Sequence, residues 1–258
     1  MELDNRSRGV QDQFGRQAPL YANTSVFGPG ESLDAMVDLA AVGCYRWAMD
    51  VATGAGYTGF ALSPYASRVV LTDITREMLI QARKRGTASG VANARFVQAA
   101  SQAFPFTDGS IDLVSCRFAA HHFPTPSLFL GEVSRVLGLG GVLLLADTVP
   151  PEDDEIAEWM NSMEKRRDPT HVANYKPSEW SALIERHGLR ITHSVMKRVD
   201  LELYDWVRRS GTPGPAIRSL RKDFTTAPSA VRQAFGIREE GEAVTFFWPC
   251  LVVRAVKD

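Results

Sequence analysis

The sequence predicts an α/β protein with a doubly wound, mostly parallel seven-stranded sheet. Two observations carry this. From Tyr45 onward, short apolar runs alternate with longer amphipathic stretches, with glycine at several of the junctions. One junction, Thr53-Gly54-Ala55-Gly56-Tyr57-Thr58-Gly59, follows an apolar run and opens a helical one. Strands in such an order run parallel and are covered by helices on both faces.

The elements follow in chain order. A segment from Gln11 to Thr24 mixes polar and apolar residues and ends near Tyr21. After Gly30 a helix is expected, with Leu33, Met36, Val37 and Ala40 on one face. Strands are expected at 46–52, 68–72, 94–97, 112–116 and 141–147, with helices at 58–66, 75–89 and 126–137. Beyond Asp147 the pattern turns more helical, at 153–164 and 177–186. A strand at 189–196, helical material from Tyr204 to about Phe235 and a closing strand at 245–256 complete the set. The interval between those last two strands is too long for a bare loop, and Ser210-Gly211-Thr212-Pro213-Gly214 reads as a break between helices. A cap over a binding crevice fits here, as does a purely structural extension. The whole chain, 1–258, is expected to be one domain. It comprises a helical N-terminal segment (1–44), a binding core (45–150) and a substrate-side half (151–258) with its insertion at about 200–240.

Composition narrows the partners. The net charge is −1, and the longest basic run is Lys165-Arg166-Arg167, so the basic face that nucleic-acid binding needs is not expected. Cys44, Cys116 and Cys250 are far apart and form no CxxC pair, which fits burial in a reducing compartment. The polar N-terminus has no signal-peptide core. The longest apolar stretch, around Leu143, is too short to span a bilayer. A cytoplasmic protein with no transmembrane segment and no metal is expected.

Glycines at Gly54 and Gly56 let the chain turn sharply and let a ligand lie against bare backbone, while free amides at a helix start meet polar groups. A tight turn without a ligand gives the same pattern, and Gly54-x-Gly56-x-x-Gly59 also matches the dinucleotide fingerprint. Two carboxylates discriminate. Asp73 closes the next strand, where it can accept hydrogen bonds from both ribose hydroxyls of an adenosine. Asp50 closes the first strand beside the loop; a pyrophosphate would be repelled there, whereas the ammonium group of S-adenosylmethionine would be welcomed.

These residues resemble the class I S-adenosylmethionine-dependent methyltransferases. The likeness runs through Asp50-x-Ala52-x-Gly54-x-Gly56 and Leu71-Thr72-Asp73-Ile74-Thr75-x-x-Met78-Leu79. It continues through Phe104-Pro105-Phe106-x-Asp108-Gly109-Ser110-Ile111-Asp112 and Glu132-Val133-x-Arg135-Val136-Leu137. Within the family the chain is similar to the ubiquinone and menaquinone methyltransferase branch. It is still more similar to bacterial members with FGRQA-x-x-Y near the start, here Phe14 to Tyr21, and CR-x-AAHHF after the fourth strand, here Cys116 to Phe123. The resemblance implies a Rossmann-like fold and transfer of a methyl group from S-adenosylmethionine to a small-molecule acceptor. It places the methionyl part at Ala52, Thr53, Gly54 and Gly56 near Asp50, the ribose at Asp73, and the adenine against Ile74 and Met78 with Ala100 and Ser101 at its edge. Arg117 follows the fourth strand, where the cofactor passes. Two positions depart from the family pattern. Ala52 replaces a glycine, and Ala99-Ala100-Ser101-Gln102 lacks an acidic residue common there, a loss of roughly 1–2 kcal/mol of cofactor affinity.

For the chemistry, a histidine near the carboxyl end of the sheet suits removal of an acceptor's proton, which nominates His121 and His122. Tyr21 on the N-terminal segment, and His171 and Tyr175 farther on, are candidates for the acceptor pocket. Phe246-Phe247-Trp248 is expected to be core of the final strand. The alternatives are a nicotinamide-dependent oxidoreductase, supported only by the glycine pattern, and a cofactor-binding protein without catalysis.

Overall fold

The structure, a computed structural model, describes residues 5–22 and 28–258; the side chains of residues 5–7, 21 and 22 lie outside the described part. Helix α1 (Asn5–Ala22) and helix α2 (Glu31–Ala40) precede the sheet. Leu33, Met36 and Ala40 of α2 are buried and Val37 is half-buried, the face that their spacing predicts.

Then follow β1 (Tyr45–Val51), α3 (Tyr57–Leu62) with a 3-10 turn (Ser63–Tyr65), β2 (Ala66–Asp73), α4 (Arg76–Ala88), β3 (Ala94–Gln98), β4 (Ile111–Arg117), α5 (Pro126–Val136) and β5 (Leu137–Thr148). The chain continues through α6 (Asp154–Arg167), α7 (Pro177–Arg186), β6 (Leu189–Glu202), α8 (Leu203–Arg209), α9 (Gly214–Thr225), α10 (Ser229–Phe235), β7 (Arg238–Glu240) and β8 (Ala243–Lys257). The strand order is β3-β2-β1-β4-β5-β8-β6. The first five strands are parallel, and β8 runs antiparallel to both β5 and β6. This is the seven-stranded sheet that the sequence predicts, with one addition. The three residues of β7 pair with β8; all three are exposed and charged, so no apolar pattern announces them.

One apolar layer lies under α5 and α7, with Phe129, Val133 and Trp180 against Val114, Leu143 and Leu145. The opposite layer places Met36, Leu62 and Ala82 against Val69, Leu113 and Leu144. A third cluster sits where the insertion meets β8: Trp206, Phe224 and Phe235 pack on Phe246 and Trp248, so those two are core as expected. Asp153 caps α6 by accepting the Ile156 amide at 3.0 Å. The expected break at Ser210–Gly214 separates α8 from α9. Among the described residues no helix is long and apolar enough to cross a membrane.

The chain leaves β1 toward β2 and β3, then returns to β4 on the other side of β1. The carboxyl ends of β1 and β4 therefore diverge into a crevice, the place where open α/β sheets bind ligands.

Candidate active site

The glycine loop is shaped from beneath by Asp50, which is 1% exposed. Its Oδ2 accepts from the Thr53 hydroxyl and from the Gly59 amide at 3.0 Å. Its Oδ1 accepts from Ser115 Oγ at 2.6 Å, a contact set by register, because Ser115 is the partner of Asp50 across β1 and β4. Burial raises the Asp50 pKa against the pull of these donors. Both oxygens are engaged below the loop, and Asp50 does not itself line the cavity beside which it is expected to favour an ammonium group.

Above it, Gly54 has φ +53°, and a Cβ built on it would meet nothing within 4 Å. It is an open cradle. Its amide donates to Asp73 Oδ2 at 2.9 Å, and the Thr75 amide donates to Asp73 Oδ1 at 2.8 Å. Burial pushes the Asp73 pKa up to about 6. Gly56 serves another purpose. It starts α3 with φ +88°, and a Cβ there would stand 2.4 Å from the Phe60 ring. Packing demands that glycine; it does not line the cavity.

The cavity opens at the carboxyl ends of β1, β2 and β4. Ala52, Thr53, Gly54, Asp73, Ile74 and Met78 line one side; Ser101 and Gln102 continue it. Ala100, only 2% exposed, is turned behind this wall, bridged to Ala103. Arg117 also lines the cavity although it is 9% exposed: Nε donates to Thr58 Oγ1 at 2.9 Å, and the guanidinium lies 4.9 Å from the Phe118 ring. Burial lowers its pKa to about 10, so it stays charged at neutral pH. Phe118 has φ +54°, costly for a bulky side chain, and is held there by its amide donating to Ala146 O at 2.8 Å. Sequence patterning gives no signal for that conformation.

Helix α1 supplies Val10 and Phe14 to the lining. Gln11 Nε2 donates to Ile74 O at 2.6 Å and Gln13 Nε2 to Ser210 O at 2.7 Å, so α1 spans from the Asp73 side to the insertion. The candidate Tyr21 has its side chain outside the described residues.

The remaining wall follows β4, with Phe118, Ala119, His122, Phe123 and Pro124, and the histidine pair there divides. His122 lines the cavity, with the Phe14 ring edge-on at 5.0 Å. His121 turns away: its amide donates to Asp147 Oδ2 at 2.9 Å, and Nδ1 lies 2.7 Å from Asp147 Oδ1. Burial opposes a charge on His121, but Asp147, as charge and as acceptor, outweighs it with help from Glu164, and the pKa is raised. Burial and the neighbouring His121 push His122 down to about 4.

His171 and Tyr175 do not reach the cavity as expected. The chain at 171–173 is pinned behind the wall, where the Val172 amide donates to His121 O at 2.9 Å. His171 is 4% exposed with Nε2 at 3.0 Å from Asn161 Oδ1, and burial pushes its pKa down to about 2. Tyr175 packs on the Trp180 ring at 5.5 Å. Among the described residues no group of His, Cys, Asp and Glu is arranged to hold a metal.

Such a site, largely apolar but carrying a carboxylate, an open glycine, a buried cation and a neutral imidazole, can hold a nucleoside with an amino-acid tail beside an apolar second molecule. The residue types and the open Gly54 cradle fit S-adenosylmethionine.

Comparison with known proteins points the same way. Residues 49–145 match the methyltransferase domain family. The chain is 32% identical to the methyltransferase YcgJ of Bacillus subtilis, over 95% of this chain and 97% of that protein. The YcgJ crystal structure covers 88% of this chain and 97% of its own, with a TM-score of 0.83. A candidate methyltransferase from Bacillus halodurans superposes with a TM-score of 0.84 at 33% identity, over 88% of this chain and 99% of that one. Over 45% of this chain and 53% of the relative, it is 37% identical to demethylmenaquinone methyltransferase of Thermus thermophilus.

Proposed function

The chain belongs to the S-adenosylmethionine-dependent methyltransferases, and from that premise we propose that the cavity described above holds the methyl donor and a small, largely apolar acceptor. S-adenosylmethionine, when bound, supplies an electrophilic methyl group on a cationic sulfur. Asp73 is our candidate for the ribose hydroxyls, since each of its oxygens accepts only one amide and retains acceptor capacity. Ile74 and Met78 offer apolar surface for the adenine, with Ser101 and Gln102 at its rim. Gly54 and Thr53 would border the methionyl part, and Arg117, a buried cation in a mostly apolar lining, suits its carboxylate.

The remaining work is alignment and exclusion of water, which α1 and the wall after β4 serve by enclosing the crevice. The low net charge supports a small molecule as acceptor in preference to nucleic acid, and the free Cys44, Cys116 and Cys250 support a cytoplasmic setting. The apolar lining and the likeness to the demethylmenaquinone methyltransferase of Thermus thermophilus support an apolar acceptor. We read 1–258 as one methyltransferase domain, with 151–258 as its substrate-side half.

The observation that carries the proposal is Asp73, a buried carboxylate at a strand end facing a largely apolar cavity beside an open glycine. Calorimetry tests it. We expect the native protein to bind S-adenosylmethionine with micromolar Kd and to ignore NAD. Asp73→Ala is expected to weaken binding at least tenfold, or about 1.4 kcal/mol. A native protein that takes NAD and ignores S-adenosylmethionine would overturn the assignment of the cavity.

A further inference from the structure

Thr170 has one hydroxyl proton and two neighbours that compete for it. Its Oγ1 lies 2.7 Å from Asp168 Oδ1 and 3.2 Å from His122 Nδ1. Asp168 is fully buried. Its Oδ1 also accepts the Thr170 amide at 2.9 Å, the arrangement of an ionised carboxylate that only accepts. The Thr170 proton therefore goes to Asp168. The Thr170 oxygen is left as an acceptor, and the contact with His122 needs a proton on Nδ1. A neutral imidazole carries only one such proton, so Nε2 keeps a bare lone pair. That atom has no hydrogen-bond partner among the described residues, nor is it one of the buried polar atoms sealed without a partner. The ring it belongs to lines the cavity.

We propose that Thr170 and Asp168 are positioning residues that hold His122 as its Nδ1–H tautomer, and that His122 Nε2 is the catalytic base for a hydroxyl group on an apolar acceptor. The cavity's identity as the methyl-transfer site is taken from the proposed function; the tautomer stands without it. A hydroxyl suits this wall because it donates a hydrogen bond to Nε2 on binding, which a tertiary amine or an alkene cannot do. In the transfer the hydroxyl proton passes to Nε2 while its oxygen gains the methyl carbon, and the electron pair of the broken carbon–sulfur bond stays on sulfur. Positive charge thus leaves the donor and appears on His122, where the Asp168 carboxylate, one hydroxyl away, stabilises it. Before transfer, His121 at 4.3 Å between ring centroids disfavours a charge on His122 and keeps the base free.

Two measurements test this. The first is a two-bond proton–nitrogen NMR spectrum of histidine-labelled protein at neutral pH, with and without S-adenosylhomocysteine. His122 is expected as the Nδ1–H tautomer, the reverse of the preference of free histidine. Thr170→Val should shift it to Nε2–H, and Thr170→Ser should restore it. A native His122 already in the Nε2–H form, or a Thr170→Val spectrum identical to the native one, would overturn the relay. The second is calorimetric titration of phenol and of anisole into protein loaded with S-adenosylhomocysteine. Phenol is expected to bind at least tenfold more tightly, with the difference lost in His122→Phe. Equal binding of the two by the native protein, or a preference that survives in His122→Phe, would overturn the hydroxyl assignment. If S-adenosylhomocysteine fails to bind at all, the cofactor reading falls, while the spectrum of the unloaded protein still decides the tautomer.

Discussion

Two buried aspartates hold opposite walls of the cavity, and they do it by different means. Asp50 ends β1 and binds only neutral donors, two from its own loop and one from the adjacent strand. Asp147 near the end of β5 is equally buried, yet its principal partner is a titratable ring, His121, held through both its amide and its Nδ1. One wall is fixed backbone geometry. The other carries a charge that changes with pH. The difference suggests a division of labour: the glycine wall receives a constant ligand, and the histidine wall manages a proton.

The largest effect should come from breaking the fixed wall. Asp50→Ala strands the Gly59 amide and the Thr53 and Ser115 hydroxyls, and each buried donor left unpaired costs about 1–3 kcal/mol. Relief of carboxylate burial offsets part of that, so a net loss of about 3 kcal/mol is expected in urea unfolding. Binding of S-adenosylmethionine should disappear with it. A variant of native stability would show that the loop holds its shape without the aspartate.

A smaller effect, with a pH signature, should come from the other wall. Asp147→Asn removes the charge opposite His121 and is expected to cost about 1–2 kcal/mol at pH 6. The sign of the pH dependence follows from the raised pKa of His121. A histidine bound more tightly to its proton in the folded state adds stability that is fully present below its unfolded pKa and is lost as pH rises through the folded one. The gap between native protein and variant should therefore be widest in acid and narrow toward pH 9. A constant gap would mean that His121 stays neutral throughout and only donates its Nδ1–H to Asp147, and the two walls would then be alike.

The same contrast explains what was legible in the sequence. On the glycine wall the contacts are short in sequence or lie between neighbouring strands: Thr53 to Asp50 spans three residues and Gly54 to Asp73 spans 19. Strand ends, glycine spacing and acidic positions therefore read directly. Even there, the sequence did not say that Asp50 lies beneath the loop and Gly56 against Phe60, because that depends on side-chain direction. The histidine wall is assembled from pieces that share no pattern. His122 meets Thr170 across 48 residues, and Gln13 reaches Ser210 across 197. The adjacent histidines lie beside the cavity, but their pattern does not tell which one faces it. His171 and Tyr175 are expected at the pocket through the resemblance of their segment to relatives, while backbone bonds at 172–173 and packing on Trp180 hold them behind it.

Each wall also holds one residue in the left-handed region without being glycine, and this sharpens the comparison at the finest scale. Ala52 has φ +50° and Phe118 has φ +54°. An L-residue pays roughly 1–2 kcal/mol there, whereas glycine adopts it freely but loses about 0.5–1 kcal/mol more backbone entropy on folding. Ala52 has only a methyl group to lose, so Ala52→Gly should raise stability by about 0.5 kcal/mol and leave cofactor affinity within twofold. Phe118→Gly relieves the same strain but removes a half-buried ring that packs on the α2 and α3 layer and lines the cavity, so it should destabilise by about 2 kcal/mol. Opposite signs from these two substitutions, read as urea midpoints, would establish that strain on the glycine wall is dispensable while strain on the histidine wall is the cost of placing an aromatic ring beside the acceptor. Equal signs would mean that local backbone preference, and not the side chain, decides both positions.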